Sequence, residues 1–256
     1  MAERSERLDK LIATYRNISR RDAVSLIRRG HVTVDGEVRR RPEEKADGDT
    51  QQLAIDGEPL QTARHVYIEL NKPMGVLCVS RDPKAKTVID LLPPALQRKG
   101  LFPAGRLDKD TVGLVLITDD GDYAHRLLAP KKAIFKCYHA VVDGPVTEQH
   151  VRLFAEGTSL ADGTRCLPAD LRILPKAEKF HNLSAKYQLD FPPDASFVEV
   201  RIQEGRYHQI KRMFGSVDHK VLWLQRISIG GLTLDETLPE GACRPLNAAE
   251  TALALE

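Results

Sequence analysis

The 256-residue sequence predicts an α+β fold in two parts. A small domain with helices and hairpins is expected over residues 1–60 and a linker over 61–66. A larger domain follows over 67–256, built on a large mixed or antiparallel sheet with flanking helices. Three observations carry this. Beyond residue 66, alternating apolar runs of strand length outnumber helical patterns, and the helices between them keep no regular βαβ rhythm. Gly57-Glu58-Pro59 and the polar stretch from Gln61 to His65 interrupt the apolar periodicity, as a boundary does. The charge balance also shifts: residues 1–41 carry eleven Lys and Arg against six Asp and Glu, whereas 42–60 carry one Lys against six acids.

In the first domain, Arg7 to Thr14 has helical spacing, with Leu8, Leu11 and Ile12 on one face. Ser19 suits the N-cap of a second helix whose apolar side is Ala23, Val24, Leu26 and Ile27, and Gly30 ends it. His31 to Val34 alternates as a strand, and Asp35-Gly36 is a hairpin turn. Arg20, Arg21, Arg28 and Arg29 fall largely off the apolar face, where they can meet phosphates. A basic patch of this kind suggests a polyanionic partner, most often nucleic acid.

In the second domain, strands are predicted at 66–70, 76–79, 101–104, 113–118, 134–143, 164–174, 182–190, 197–203 and 221–234. Helices are predicted from Asp119-Asp120 to Leu128, from Val146 to Phe154 and from Gly205 to Phe214. A closing helix is capped by Asn247 with Glu250. The most informative stretch is Gly105 to Gly121, GRLDKDTVGLVLITDDG. It holds Arg106 and Asp108 in a short polar loop between small residues and an apolar strand, with Gly105 and Gly113 allowing tight turns. A carboxylate on a loop pinned at both ends is a common way to hold a nucleophile or base.

With 42% hydrophobic and 29% charged residues the chain reads as soluble and globular. The N-terminus MAERSERLDK is too charged for a signal peptide and no apolar run approaches a membrane span, so a cytoplasmic location is expected. Cys78, Cys137, Cys166 and Cys243 are scattered and suggest neither a disulfide framework nor a zinc site.

The first domain, RLDKLIA…ISRRDAVSLIRRGHVTVDGEV, resembles the alpha-L RNA-binding domain of a small-subunit ribosomal protein, some aminoacyl-tRNA synthetases and many rRNA-modifying enzymes. The resemblance rests on Arg7-Leu8-Asp9, Ser19-Arg20, Ile27, Gly30, Val32, Val34 and Gly36, and implies RNA binding through Arg7, Arg20, Arg21 and Arg28. The second domain resembles the pseudouridine synthases, within the RsuA branch. Three strings carry the match: Gly105 to Gly121, Lys136-Cys137-Tyr138, and Glu204 to Phe214 (EGRYHQIKRMF). Lys72-Pro73-x-Gly75 and Leu224-x-Arg226 with Ile229-Gly230-Gly231 add to it. Several ordered strings agree by chance far less often than one does.

The resemblance implies isomerisation of uridine to pseudouridine after base flipping. In that reaction the N1–C1′ bond breaks, the base turns, and C5 joins C1′. Asp108 takes the place of the family's essential aspartate. A carboxylate suits addition at C1′, addition at C6, or abstraction of the 2′ proton. Asp108 must be ionised to act, which calls for a cation nearby, and Lys211 is the family's candidate for it. Tyr138 would stack on the uracil and shuttle the proton at C5. Arg106 would help open the RNA helix and hold the flipped nucleotide, with Arg206 and Arg212 on RNA. Asp110, Thr111 and Lys72 would brace the loop. Without the resemblance Tyr138 reads as a core aromatic, and Lys211 and Arg212 as an exposed helix end. His208, expected within a helix, is given no proton transfer. Cys137 stands where threonine is usual and should point away from Tyr138 along a strand. Neither metal nor organic cofactor is implied, since nothing is oxidised or lost, and a monomer is expected.

Rival readings are weaker. A magnesium phosphotransferase with Asp-x-Asp-x-Thr needs an apolar run before the first Asp, but Ala104-Gly105-Arg106-Leu107 stands there and Thr111 comes one place early. A glycosidase needs a second acid loop that does not stand out. A non-catalytic RNA-binding or ribosome-assembly factor would not need Asp108, Tyr138 and Lys211 together. The third string looks closer to the small-subunit enzymes than to large-subunit relatives, which tend to carry Asn-Arg-Gln-Ile-Arg-Arg-Met. The expected substrate is therefore one uridine of 16S rRNA, free or in a small-subunit assembly particle, with 23S rRNA as the alternative.

Overall fold

A computed structural model of the chain describes residues 5–16, 18–48, 50–60, 62, 65–176 and 178–256, with backbone only for 178–181. Residues 61, 63 and 64 of the expected linker lie outside the described residues. The chain forms two compact units, Met1–His65 and Val66–Glu256. No helix among the described residues is long and apolar enough to cross a membrane.

The N-terminal unit contains β1 (Glu6–Arg7), α1 (Leu8–Arg16), α2 (Arg20–Arg29), β2 (Val32–Val34), β3 (Glu37–Val38), β4 (Lys45–Ala46), β5 (Leu53–Ile55) and β6 (Glu58–Leu60). Its antiparallel sheet runs β3-β2-β5-β6, and β1 pairs with β4. Leu8, Leu11 and Ile12 of α1 meet Ala23 and Ile27 of α2 over Val32, Val34, Leu53 and Ile55. Ser19 caps α2 through the Asp22 amide, and Gly30 closes it at φ +82, as predicted.

Asp9 is a buried charge in this unit. Arg7 grips it with two nitrogens, Nε to Oδ1 at 3.2 Å and Nη2 to Oδ2 at 2.8 Å, and Arg20 Nη2 reaches Oδ1 at 3.1 Å. The hydrogen bonds from Arg7 outweigh the opposing effect of burial, and with Arg20 they hold the carboxyl down at about 2. Because that lies below the unfolded value, the stabilisation is present above about pH 4 and lost as pH falls towards 2. Asp9→Asn should cost about 1–2 kcal/mol at neutral pH, the half-exposed arginines limiting the gain. Denaturant unfolding of wild type and variant across pH 2–7 should give curves that differ at pH 6 and merge near pH 2. A constant gap would assign the effect to packing.

The second unit contains β7 (Tyr67–Lys72), β8 (Phe102–Pro103), β9 (Val112–Thr118), α3 (Gly121–Leu128), β10 (Lys136–Val142), α4 (Glu148–Glu156) and β11 (Asp170–Leu174). It continues with α5 (Glu178–Tyr187), β12 (Ser196–Ile202), α6 (Gln209–Gly215), β13 (Val221–Ile229), β14 (Leu232–Thr233), β15 (Cys243–Pro245) and α7 (Ala248–Leu253). One mixed sheet runs β11-β12-β10-β13-β9-β7-β15, with β8 on β9 and β14 on β13. The β13–β9 pair is parallel and the other pairs are antiparallel. Every residue of β9 is buried, because the sheet is covered on both faces. Val115 and Ile117 join one apolar cluster, while Leu114 and Leu116 join another.

Five predicted elements differ, one of them the strand expected over 221–234, which turns back at Gly230-Gly231 to form the antiparallel β13–β14 pair. Residues 182–190 are mostly helix rather than strand. Leu183, Ala185, Tyr187 and Leu189 alternate, but Leu183 and Tyr187 also lie one helical turn apart and pack with Trp223 and Phe197. The strand expected at 76–79 reduces to one bridge, Leu77 to Thr87, since Val76 and Cys78 bury themselves in the core without a sheet neighbour. The strand expected from 164 begins at Asp170. Pro168, just before it, has no amide to donate to a ladder. The helix expected from Gly205 begins at Gln209, which matters for the site.

Candidate active site

The loop before β9 is fixed from three sides. Gly105 and Gly113 sit at φ +91 and +99, conformations that side chains other than glycine's rarely tolerate. Within the loop the Thr111 amide donates to the Asp108 carbonyl at 3.1 Å, and the Gly75 amide donates to the Lys109 carbonyl at 2.8 Å. Beneath it, Lys72 is fully buried at the end of β7 and donates to the carbonyls of Pro73, Lys109 and Thr111 at 3.1, 3.2 and 2.8 Å. Burial pushes its ammonium down to about 8, still protonated at neutral pH. The register that pairs Lys72 with Gly113 puts it there.

Apolar packing then gathers the functional side chains. Leu107 from the loop, Tyr138 from β10, and Ile210, Met213 and Phe214 from α6 belong to one buried cluster. Burying each such side chain stabilises by about 1.5–3 kcal/mol. Their neighbours Asp108 and Lys211 are thereby brought face to face. Lys211 Nζ lies 3.1 Å from Asp108 Oδ2 and 2.6 Å from Asp110 Oδ1. Burial works against the Lys211 charge, yet the two carboxylates outweigh it and raise its pKa. Burial likewise opposes ionisation of Asp110, and the Lys211 ammonium more than compensates, holding it below the usual carboxylate range. One cation thus serves two acids.

An open cleft lies over these groups. Asp108, Tyr138, Lys211, Arg106 and Arg206 line it, with Leu107, Ile202, Ile210 and Leu224 as its apolar wall. Asp108 is partly open at 27% exposure, and among the described residues no hydrogen bond occupies the Tyr138 hydroxyl. Arg226, opposite Tyr138 across the sheet, is buried and donates Nε to the Leu114 carbonyl at 2.7 Å. Cys137 packs with Glu199 while Tyr138 and Val200 join the core cluster, so the cysteine turns to the other side of the strand as expected.

Other predicted residues lie elsewhere. Arg212 does not line the cleft and pairs with Asp162. Arg7, Arg20, Arg21 and Arg28 belong to the N-terminal unit. Arg7 and Arg20 are tied to Asp9, whereas Arg21 and Arg28 are exposed without an ion pair among the described residues.

Two features were not foreseen. His208 is not helical: it stands before α6 at φ 47, and its Nε2 lies 3.3 Å from Asp108 Oδ1. A lone left-handed histidine leaves no periodic trace in a sequence. The second is a clamp across Glu204 to Gln209. Gln209 Nε2 and Arg206 Nε each donate to Glu204 at 2.9 Å, and the Arg206 amide donates to Gln209 Oε1 at 3.0 Å. The Leu167 amide donates to Glu204 as well, at 2.9 Å. Gly205 between two polar ends was the available signal. Among the described residues no group of three or more His, Cys, Asp and Glu is placed to hold a metal ion.

The chain matches two family models: RNA pseudouridylate synthase over residues 66–216 and the S4 domain over 6–51. It is 40% identical to the ribosomal small subunit pseudouridine synthase A of Escherichia coli strain K12, covering 96% of this chain and 98% of that one. It is 37% identical to an RNA pseudouridine synthase, YtzG, of Bacillus subtilis strain 168, covering 96% and 97%. Among solved structures, a crystal structure of a pseudouridylate synthase is similar with a TM-score of 0.63 at 35% identity, covering 97% of this chain and 99% of that one.

Proposed function

This chain belongs to the RNA pseudouridylate synthases, and from that premise we propose that it converts one uridine of small-subunit 16S rRNA to pseudouridine, with Asp108 as the essential group. The observation that supports this most is the meeting of Asp108, Tyr138 and Lys211 in one cleft from a loop, a strand and a helix. The names of the small-subunit relatives and the Arg206-Tyr207-His208 wording of the third string support the choice of RNA.

In this reading Arg106 and Arg206 receive the RNA backbone, and the target uridine leaves its stack to enter the cleft. Tyr138 lies against the uracil. Asp108 serves as nucleophile or base at the sugar or base carbon, with the Lys211 ammonium 3.1 Å from its carboxylate. The N1–C1′ bond breaks, C5 bonds to C1′, the C5 hydrogen leaves as a proton by way of the Tyr138 hydroxyl, and N1 takes up a proton. Nothing is gained or lost overall. The N-terminal unit holds ribosomal RNA by its phosphates.

The test is tritium release from purified chain and [5-³H]uridine-labelled 16S and 23S rRNA. Release of one equivalent from 16S alone supports the reading, and release from 23S alone refutes the substrate. For the N-terminal unit, Arg21→Gln with Arg28→Gln should reduce the slope of log affinity against log salt by about one to two, with the single-turnover rate at saturating RNA unchanged. An unchanged slope would make these arginines a solvated face.

A further inference from the structure

Tyr207 is the most exposed of the large hydrophobic side chains among the described residues, at 73%. Its ring contributes nothing to the core, and among the described residues no hydrogen bond holds its hydroxyl. Yet it is not loose. It stacks on His208 with ring centroids 3.8 Å apart and planes 19° from parallel, and His208 is itself fixed against Asp108. The clamp of Glu204, Arg206 and Gln209 holds the backbone on both sides of it. An aromatic ring displayed to solvent, pre-ordered on one face and open on the other, is what a flat ligand needs for stacking at little ordering cost.

His208 lines the cleft and Tyr207 does not, so the open face of Tyr207 lies one layer outside the place of the reacting base. Resting on the reading of the chain as an RNA pseudouridine synthase, we propose that Tyr207 is a stacking platform for the nucleobase next to the target uridine. It would take up that base once flipping has broken the RNA stack. Every base has a π-face, so the platform tolerates sequence and acts on affinity and placement. Arg206 beside it, half-exposed although paired with Glu204, favours a polyanionic strand over an apolar protein surface.

The test uses the full chain and whichever rRNA, 16S or 23S, the wild type isomerises. Tyr207→Ala and Tyr207→Leu should raise KM at least about 10-fold, equivalent to ~1.4 kcal/mol, with kcat within about threefold, while Tyr207→Phe stays like wild type. Tyr207→Trp adds an exposed fluorophore to a chain whose single tryptophan, Trp223, is buried. Its added emission should be quenched by unlabelled RNA. An unchanged KM in Tyr207→Ala, full retention in Tyr207→Leu, or unquenched emission would overturn the platform. A fall in kcat with KM intact would do so too, making the ring a support for His208. Wild-type turnover on neither RNA would refute the substrate reading instead, and the quenching titration with 16S rRNA would still decide whether Tyr207 stacks on RNA.

Discussion

Asp108→Asn is expected to lower turnover by at least about 10³-fold while RNA affinity changes by less than about threefold. The geometry explains why the loss should be chemical. Asparagine keeps the size of the side chain, and Lys211 retains Asp110 at 2.6 Å, so the half-buried ammonium is not left unpaired. The loop keeps its anchors, because Lys72 and the Gly75 amide bind backbone carbonyls rather than the Asp108 side chain. Only the carboxylate facing the cleft is lost. Asp110→Asn is the informative control. Asp110 forms the shorter contact to Lys211, yet it is 66% exposed and does not line the cleft. Its loss should reduce turnover by no more than about 10-fold, the small share of a group acting through another. Single-turnover tritium release at saturating RNA, with filter binding in parallel, checks both. If Asp110→Asn were dead and Asp108→Asn active, the roles of the two acids would be reversed.

Gly113→Ala should be the most damaging small substitution in the chain. β9 and β13 run parallel with Gly113 opposite Arg226, and an added Cβ would stand 2.3 Å from the Arg226 carbonyl and 2.9 Å from Gln225 Cγ. Backbone cannot yield as a surface side chain would, and φ +99 is strained for alanine in any case. Strain and overpacking together should cost about 2–5 kcal/mol, or roughly 5–15 °C in Tm. Gly113 is also the second residue of the strand that follows the Asp108 loop, so the surviving folded protein should turn over about 10²-fold more slowly. Scanning calorimetry and single-turnover kinetics measure the two effects. An unchanged Tm would mean that the strands separate easily here.

Much of this was legible in the sequence, for specific reasons. Ser19, Gly30, Asp120 and Asn247 act as caps because capping chemistry is local. Gly105 and Gly113 both take left-handed backbone, as their positions in the polar loop implied. Asp108, Tyr138 and Lys211 were found through three strings, and nothing in their spacing foretold that Leu107, Tyr138 and Ile210 share one core. Where the sequence misled, two periodicities competed, as at Leu183 and Tyr187, or the decisive contact was distant. Glu204 receives the Leu167 amide from 37 residues away, and Lys211 finds Asp110 across 101. The helix pattern of Gly205 to Phe214 hides His208, whose left-handed backbone turns its ring onto Asp108.

The most direct measurement is site-resolved mapping of pseudouridine in all rRNA from cells lacking this chain, and from the same cells supplied with wild type or Asp108→Asn. The predicted result is one missing pseudouridine in 16S rRNA, restored by wild type and not by Asp108→Asn, with 23S rRNA unchanged. An intact 16S pattern with a lost 23S site, or restoration by Asp108→Asn, would contradict it.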